Sequence, residues 1–244
     1  MTGGTVSPDV RVFPDLEALS DAAAAWVADG LEESAAAHGR ASFVLSGGST
    51  PTLLYERLAT RFKDRVPWRQ LHVFWSDERY VPYSDRLSNY RMAKETILNQ
   101  VPIPPHQVHP MPTHFAAPLE AAREYESVVT EFFAGRPPIF DVTLLGLGAD
   151  GHTASVFADS PALASAHVAL AVTAPADPPS RLTLTLPVLV RGRRVGVLVS
   201  GASKVVALAA SLSGRDPNLP GAVLARTAST LVWWVDRDAC GRDN

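Results

Sequence analysis

FDVTLLGLGADGHTASVF, residues 140–157, decides the fold. Asp141–Leu145 is a short, mostly apolar run with β-formers, the pattern of a buried strand. Gly146, Gly148 and Gly151 then open a turn where backbone can approach a ligand closely. Asp150 and His152 leave that turn one glycine apart, followed by Thr153 and Ser155. An open α/β sheet places its chemistry at the carboxyl ends of its strands, so His152 is the leading catalytic candidate and Asp150 its companion.

The same residues satisfy G-x-G-x-x-G from Gly146 to Gly151, the dinucleotide fingerprint. Two features oppose that reading. Asp150 would set a carboxylate beside a pyrophosphate, and the motif lies past mid-chain, outside an opening βαβ unit with an acid closing the next strand.

Outward from this stretch, other strands end in the same manner. Ala41–Leu45 runs into Ser46-Gly47-Gly48-Ser49-Thr50-Pro51. Ser49 or Thr50 is suited to cap a helix, Pro51 suits its first position, and Thr52–Phe62 continues it. Strand, glycine turn, hydroxyls and helix start make an anion site of backbone N–H groups, or else a plain βα turn with a good cap. The lysine of a Walker A loop is missing, so no nucleotide triphosphate is implied. Leu71–Trp75 ends in Ser76-Asp77-Glu78-Arg79-Tyr80, which composition alone reads as a solvated loop and position at a strand end raises to a site candidate. Downstream, Val195–Val199 ends at Ser200-Gly201, and Lys204 sits in the first turn of a helix expected over Ala202–Leu212. A cation there opposes the helix dipole, which argues for an anion nearby.

The remaining segments complete an alternating pattern. Val10–Phe13, Val168–Thr173, Arg181–Thr185 and Thr230–Val235 read as strands. Asp15 caps a long amphipathic helix closed by Gly39, and helices follow over Ser88–Gln100 and Leu119–Phe133. Arg191, Arg193 and Arg194 read as a solvated turn. His106, His109 and His114 lie in a proline-rich loop; with no cysteine or carboxylate among them, a rigid surface loop is preferred to a zinc site. Strands alternating with helices predict an α/β fold: a doubly wound, mostly parallel, Rossmann-like sheet with helices on both faces. The 244 residues are expected to form one domain behind a polar tail of about residues 1–8.

Bulk properties narrow the functional classes. With 46% hydrophobic and 19% charged residues the chain is an ordinary globular protein. A formal net charge of −3 opposes a generally basic nucleic-acid binder, so any anion must be held by a few local cations. Cys240, the lone cysteine, suits a reducing cytoplasm. The start MTGGTVSPDV has neither basic nor apolar signal regions, and no apolar run is long enough to span a bilayer. A cytoplasmic protein without membrane or nucleic-acid partners is expected.

With these residues collected, the chain resembles the 6-phosphogluconolactonases of the glucosamine/galactosamine-6-phosphate isomerase superfamily. The matching motifs keep their order along nearly the whole chain: SGGSTP at Ser46–Pro51, WSDERYVP at Trp75–Pro82, SNY at Ser88–Tyr90, LLGLGADGHTASVF at Leu144–Phe157, RLTLT at Arg181–Thr185, GASK at Gly201–Lys204, and a closing WWVDRDA. Ala158 stands where the family usually has a proline, a change that touches no chemical group. Glucosamine-6-phosphate deaminases resemble the chain in the glycine-rich loop, the Asp-Glu pair and the DGH turn. Their pattern continues to a glutamate five residues after the histidine, where this chain has Phe157. Sugar-phosphate-sensing regulators use related folds without catalysis, but they carry a DNA-binding domain for which this chain has no segment.

The resemblance implies a single sugar-phosphate lactonase domain that hydrolyses 6-phospho-D-glucono-1,5-lactone in the oxidative pentose phosphate pathway. His152 is then the general base and Asp150 orients the imidazole or the water. Gly47, Gly48, Ser49 and Thr50, with Arg181 and Lys204, hold the phosphate. Arg79 serves either the phosphate or the oxyanion. Asp77, Ser88 and Asn89 contact sugar hydroxyls or shape the pocket. No metal or cofactor is expected, the partner is the small-molecule lactone, and the chain is expected to act as a monomer.

Overall fold

The computed structural model describes residues 8–241, so the expected polar tail lies almost wholly outside the described residues. Six strands form one parallel sheet: β1 (Asp9–Phe13), β2 (Ala41–Leu45), β3 (Leu71–Trp75), β5 (Val142–Gly146), β8 (Arg194–Val199) and β9 (Leu231–Asp236), in the order β1-β9-β8-β5-β2-β3. The central strands are buried on both faces, which is why they read as continuous apolar runs. The helices α1 (Leu16–His38), α2 (Thr50–Ala59), α3 (Asn89–Thr96), α4 (Pro118–Phe132), α5 (Leu186–Leu189), α6 (Val205–Ser213) and α7 (Pro220–Thr227) complete the α/β fold. Asp15 caps α1 by accepting from the Ala18 amide, and Gly39 closes it with φ +72°.

Connections run from β2 outward to β3 and from β5 outward to β8 and β9. The chain therefore reverses its winding between the neighbouring strands β2 and β5, and a crevice opens at their carboxyl ends. Two buried tyrosines set the strand ends beside it. Tyr55 of α2 donates to the Ser46 carbonyl and accepts from the Ser46 amide, and Tyr125 of α4 does the same at Trp75.

Several expectations are corrected. The strands expected near residues 168–173 and 181–185 do not join the main sheet. They are β6 (Ala169–Thr173) and β7 (Ser180–Leu184) of a separate antiparallel sheet, β4-β7-β6, whose third member is β4 (Asp77–Arg79). The charged run after Trp75 is thus a paired strand, with Asp77 and Glu78 both buried. The helix after Ser200 is divided, with a 3₁₀ turn at Ala202–Lys204 preceding α6. The helix expected over 88–100 is likewise split at Ile97, α2 stops at Ala59, and α5 and α7 were not anticipated. The arginine cluster is engaged, since Arg194 opens β8 and pairs with Glu33 while Arg193 lies 3.3 Å from Asp141. In the proline-rich loop, His109 Nε2 sits 3.0 Å from His72 Nδ1 and stacks on Phe74. Burial, with His109 beside it, lowers the His72 pKa to about 4. Among the described residues no cluster of three metal-ligating side chains is present.

At the amino ends of the central strands, Asp141 clamps β2 to β5. Its Oδ2 accepts from both the amide (2.8 Å) and the hydroxyl (2.7 Å) of Ser42. Asp141→Ala strands a buried amide and is expected to cost about 1–3 kcal/mol. The exposed Arg193 contact adds little. Urea unfolding checks this, and a midpoint indistinguishable from the parent chain's would refute the clamp.

Candidate active site

A cleft of about 630 Å³ opens at the switch between β2 and β5 and extends over the carboxyl end of β8. The turn after β2 supplies Gly47, Gly48, Ser49 and Thr50; the turn after β5 supplies Gly148 and His152; the segment after β8 supplies Ser200, Ser203 and Lys204. Asp77, Arg79 and Arg181 enter from the second sheet and Asn89 from the start of α3. Of the residues singled out in the sequence, these all meet in one cleft. Asp150 reaches it through its contact with His152, and Ser88 does not line it. Ser88 instead caps α3, accepting from the Arg91 amide, and donates to Glu78.

The acid and the imidazole touch. Gly148 N donates to the His152 carbonyl (2.8 Å) and Gly151 N to the Gly148 carbonyl (3.0 Å), so the turn folds back and brings the two side chains together. His152 Nδ1 lies 2.5 Å from Asp150 Oδ1, and the His152 amide donates to the same oxygen. Burial alone would raise the Asp150 carboxyl, but the facing His152 charge and these hydrogen bonds bring it below its ordinary value. An ionised carboxylate only accepts, so Nδ1 carries the hydrogen that faces it, and in the neutral form of the ring Nε2 has a lone pair for a substrate or water. Phe157 braces the imidazole, with ring centroids 4.8 Å apart.

Gly148 is required by close approach. A Cβ there would stand 2.1 Å from His152 Nδ1 and 2.5 Å from Asp150 Oδ1. Gly47 plays the same part for Asn89, whose Oδ1 would lie 2.1 Å from an added Cβ. Ala154, in the loop between the dyad and Phe157, holds φ +49°, an uncommon conformation for a residue with a side chain. One residue on, the Ser155 hydroxyl donates to Asp77 Oδ2 (2.7 Å).

The opposite wall is cationic. Arg79 of β4 and Arg181 of β7 are direct partners across an antiparallel pair, where like charges repel. Arg181 is only 7% exposed and its Nε has no hydrogen-bond partner among the described residues. Burial first, and then the neighbouring Arg79 charge, lower its pKa, yet a guanidinium stays protonated. Arg79 Nη1 donates to the Leu87 carbonyl (2.7 Å). Ser49 stands at the N-cap of α2 but its hydroxyl makes no capping bond, and Ser49 and Thr50 both line the cleft. Cations crowded in one cleft without ion-pair partners among the described residues are chemically suited to an anion.

A second cavity of about 720 Å³ opens at the other end of the strands. Its cations are occupied: Arg40 donates to the Phe132 carbonyl and stacks on that ring, and Arg193 pairs with Asp141. Arg40 follows α1 and reaches the last residue of α4, where positive charge offsets the helix dipoles. That cavity reads as structural.

The chain is similar to known proteins over nearly its whole length. A model of the family described as glucosamine-6-phosphate isomerases/6-phosphogluconolactonase matches residues 14–233. The 6-phosphogluconolactonase of Mycobacterium tuberculosis is 41% identical over 246 residues, covering 97% of this chain and 99% of that one. That of Synechocystis is 41% identical over 238 residues, covering 96% and 98%. The structure of 6-phosphogluconolactonase from Trypanosoma cruzi superposes with a TM-score of 0.85 at 26% identity, covering 99% of each chain.

Proposed function

The chain belongs to the family of glucosamine-6-phosphate isomerases and 6-phosphogluconolactonases and is an enzyme of its lactone-hydrolysing side, and we propose that it hydrolyses 6-phospho-D-glucono-1,5-lactone to 6-phospho-D-gluconate with His152 as general base. One observation carries the reading: a single cleft holds a carboxylate-oriented imidazole and three cations with no ion pair among the described residues. The imidazole suits an ester carbonyl, and the cations suit a phosphate.

His152 Nε2 takes a proton from water as the water oxygen adds to the lactone carbonyl. The resulting imidazolium is stabilised by Asp150. As the tetrahedral intermediate collapses, the bond from the carbonyl carbon to the ring oxygen breaks and the imidazolium returns the proton to that oxygen. The product is a carboxylic acid with a free hydroxyl, and the acid releases its proton to solvent to leave the carboxylate. The phosphate is held by the Gly47–Thr50 turn with Arg181 and Lys204, while Arg79 serves either the phosphate or the oxyanion. A lactone is already a reactive ester, so the proposed route needs no metal. Phe157 stands where the deaminases carry their glutamate, and its ring lies against His152, which leaves ring-opening chemistry without its second acid–base group.

Proton release from freshly generated lactone tests the reading. The protein should accelerate it above the spontaneous rate, and the unphosphorylated lactone should gain little. No acceleration of the phosphorylated lactone would overturn the proposal. Lys204→Ala removes one charge-assisted contact worth about 1.5–3 kcal/mol, so KM is expected to rise roughly 10- to 100-fold with kcat changed far less. Steady-state kinetics checks this. An unchanged KM would remove Lys204 from the phosphate site.

A further inference from the structure

Glu78 lies between two cleft residues, Asp77 and Arg79, yet faces away from the cleft and is 1% exposed. Its carboxylate is surrounded by four donors. Oε1 accepts from the amides of Arg79 and Asn89, both at 2.7 Å. Oε2 accepts from the Tyr90 amide (2.8 Å) and from Ser88 Oγ (3.1 Å). Three of these donors are backbone groups and cannot be reversed. The fourth is committed as well, because Ser88 Oγ accepts from the Arg91 amide and so turns its own hydrogen toward Glu78. The environment has room for an acceptor at both oxygens and for a donor at neither.

The peptide groups it holds belong to the site. Asn89 and Tyr90 are the first residues of α3, so Glu78 and Ser88 together satisfy the leading amides of that helix with a negative charge at its positive end. Asn89 lines the cleft, packed on Gly47, and its Nδ2 donates to the Asp77 carbonyl (2.9 Å). The backbone of Arg79 is pinned by the same carboxylate. One buried group behind the wall thereby sets two residues in front of it. Burying a carboxylate is costly, and desolvation raises its pKa to about 7 in spite of the amide bonds that favour the charged form. A cap alone is supplied more cheaply by a side chain such as Ser88. The charge is explained by the number of donors that converge.

We propose that Glu78 is a positioning residue for substrate binding, its ionised carboxylate holding Asn89 and Arg79 in register against the cleft from behind. The proposal rests on the lactonase reading for its substrate, though not for its geometry.

Glu78→Gln keeps the shape but points an amide NH₂ at backbone N–H groups. KM for the phosphorylated lactone and the dissociation constant for 6-phosphogluconate are both expected to rise roughly tenfold, with kcat changed less than about threefold. Since Glu78 acts on Asn89, the double variant Glu78→Gln/Asn89→Ala should lose less affinity than the two single changes added together. Unchanged KM, strict additivity, or a kcat loss matching only the unfolded fraction would each overturn the proposal. Should Glu78→Gln fail to fold, Ser88→Ala withdraws a single donor and is expected to raise KM a few-fold; no change there would overturn it equally. An unmodified chain without turnover would instead refute the lactonase reading, and Glu78 would then be judged on 6-phosphogluconate binding alone.

Discussion

His152→Ala is expected to lower kcat by a factor on the order of 10²–10⁴, the range that a positioned general base contributes, while affinity for 6-phosphogluconate stays within a few-fold. The separation follows from the cleft. His152 stands on the turn after β5, whereas the cations Arg79, Arg181 and Lys204 come from β4, β7 and the segment after β8. Asp150 is a poor substitute for the lost base, because a carboxylate is intrinsically a weaker base than an imidazole. The fold should be undisturbed, since the His152 and Asp150 side chains are one-third and one-half exposed and an exposed pair contributes little stability. Single-turnover kinetics and product titration measure the two halves independently. A kcat within threefold of the parent's would assign the base elsewhere.

Gly148→Ala is expected to reduce kcat on the order of 10²-fold without touching any group that reacts, the scale associated with about 1 Å of misplacement. Gly148 is not among the positive-φ glycines, so alanine fits the backbone and the effect is steric alone. The new Cβ would fall 2.1 Å from Nδ1 and 2.3 Å from Cε1 of His152, so the imidazole must leave its place against Asp150. Phe157 limits its retreat on one side. Because both substitutions act on one dyad, the double variant Gly148→Ala/His152→Ala should be no slower than His152→Ala alone. Near-parental kcat in Gly148→Ala would mean that the contact between Asp150 and His152 is dispensable. Thermal unfolding near the parent's midpoint is expected, and distinguishes a displaced dyad from a damaged fold.

Much of this architecture was legible in the chain. β2 and β3 occupy the residues that their apolar runs marked, because a strand buried in a parallel sheet is apolar at most positions, and a glycine or a polar cluster ends it abruptly. The dyad was legible for a related reason: Asp150 and His152 are two residues apart, so the glycine turn that joins them is nearly the whole of their geometry. β4 was not. Three polar residues, Asp77, Glu78 and Arg79, carry no apolar signal, and their burial comes from pairing with β7 far along the chain. Glu78 is illegible for the same reason, since nothing local distinguishes a caged carboxylate from a solvated one.

The order of residues determined, by itself, the α/β class, the strand ends that meet at the cleft, and the pairing of Asp150 with His152. Each of these is a short-range property, written in hydrophobic periodicity, glycine placement and neighbours along one turn. Only the tertiary structure decided that Arg79 and Arg181 face each other across β4 and β7, that Ser155 ties to Asp77, and that Ser88 serves Glu78 rather than the cleft. Those relations join residues whose separation along the chain carries no information about their separation in space. They exist because the winding reverses between β2 and β5 and a second sheet closes over the crevice so formed.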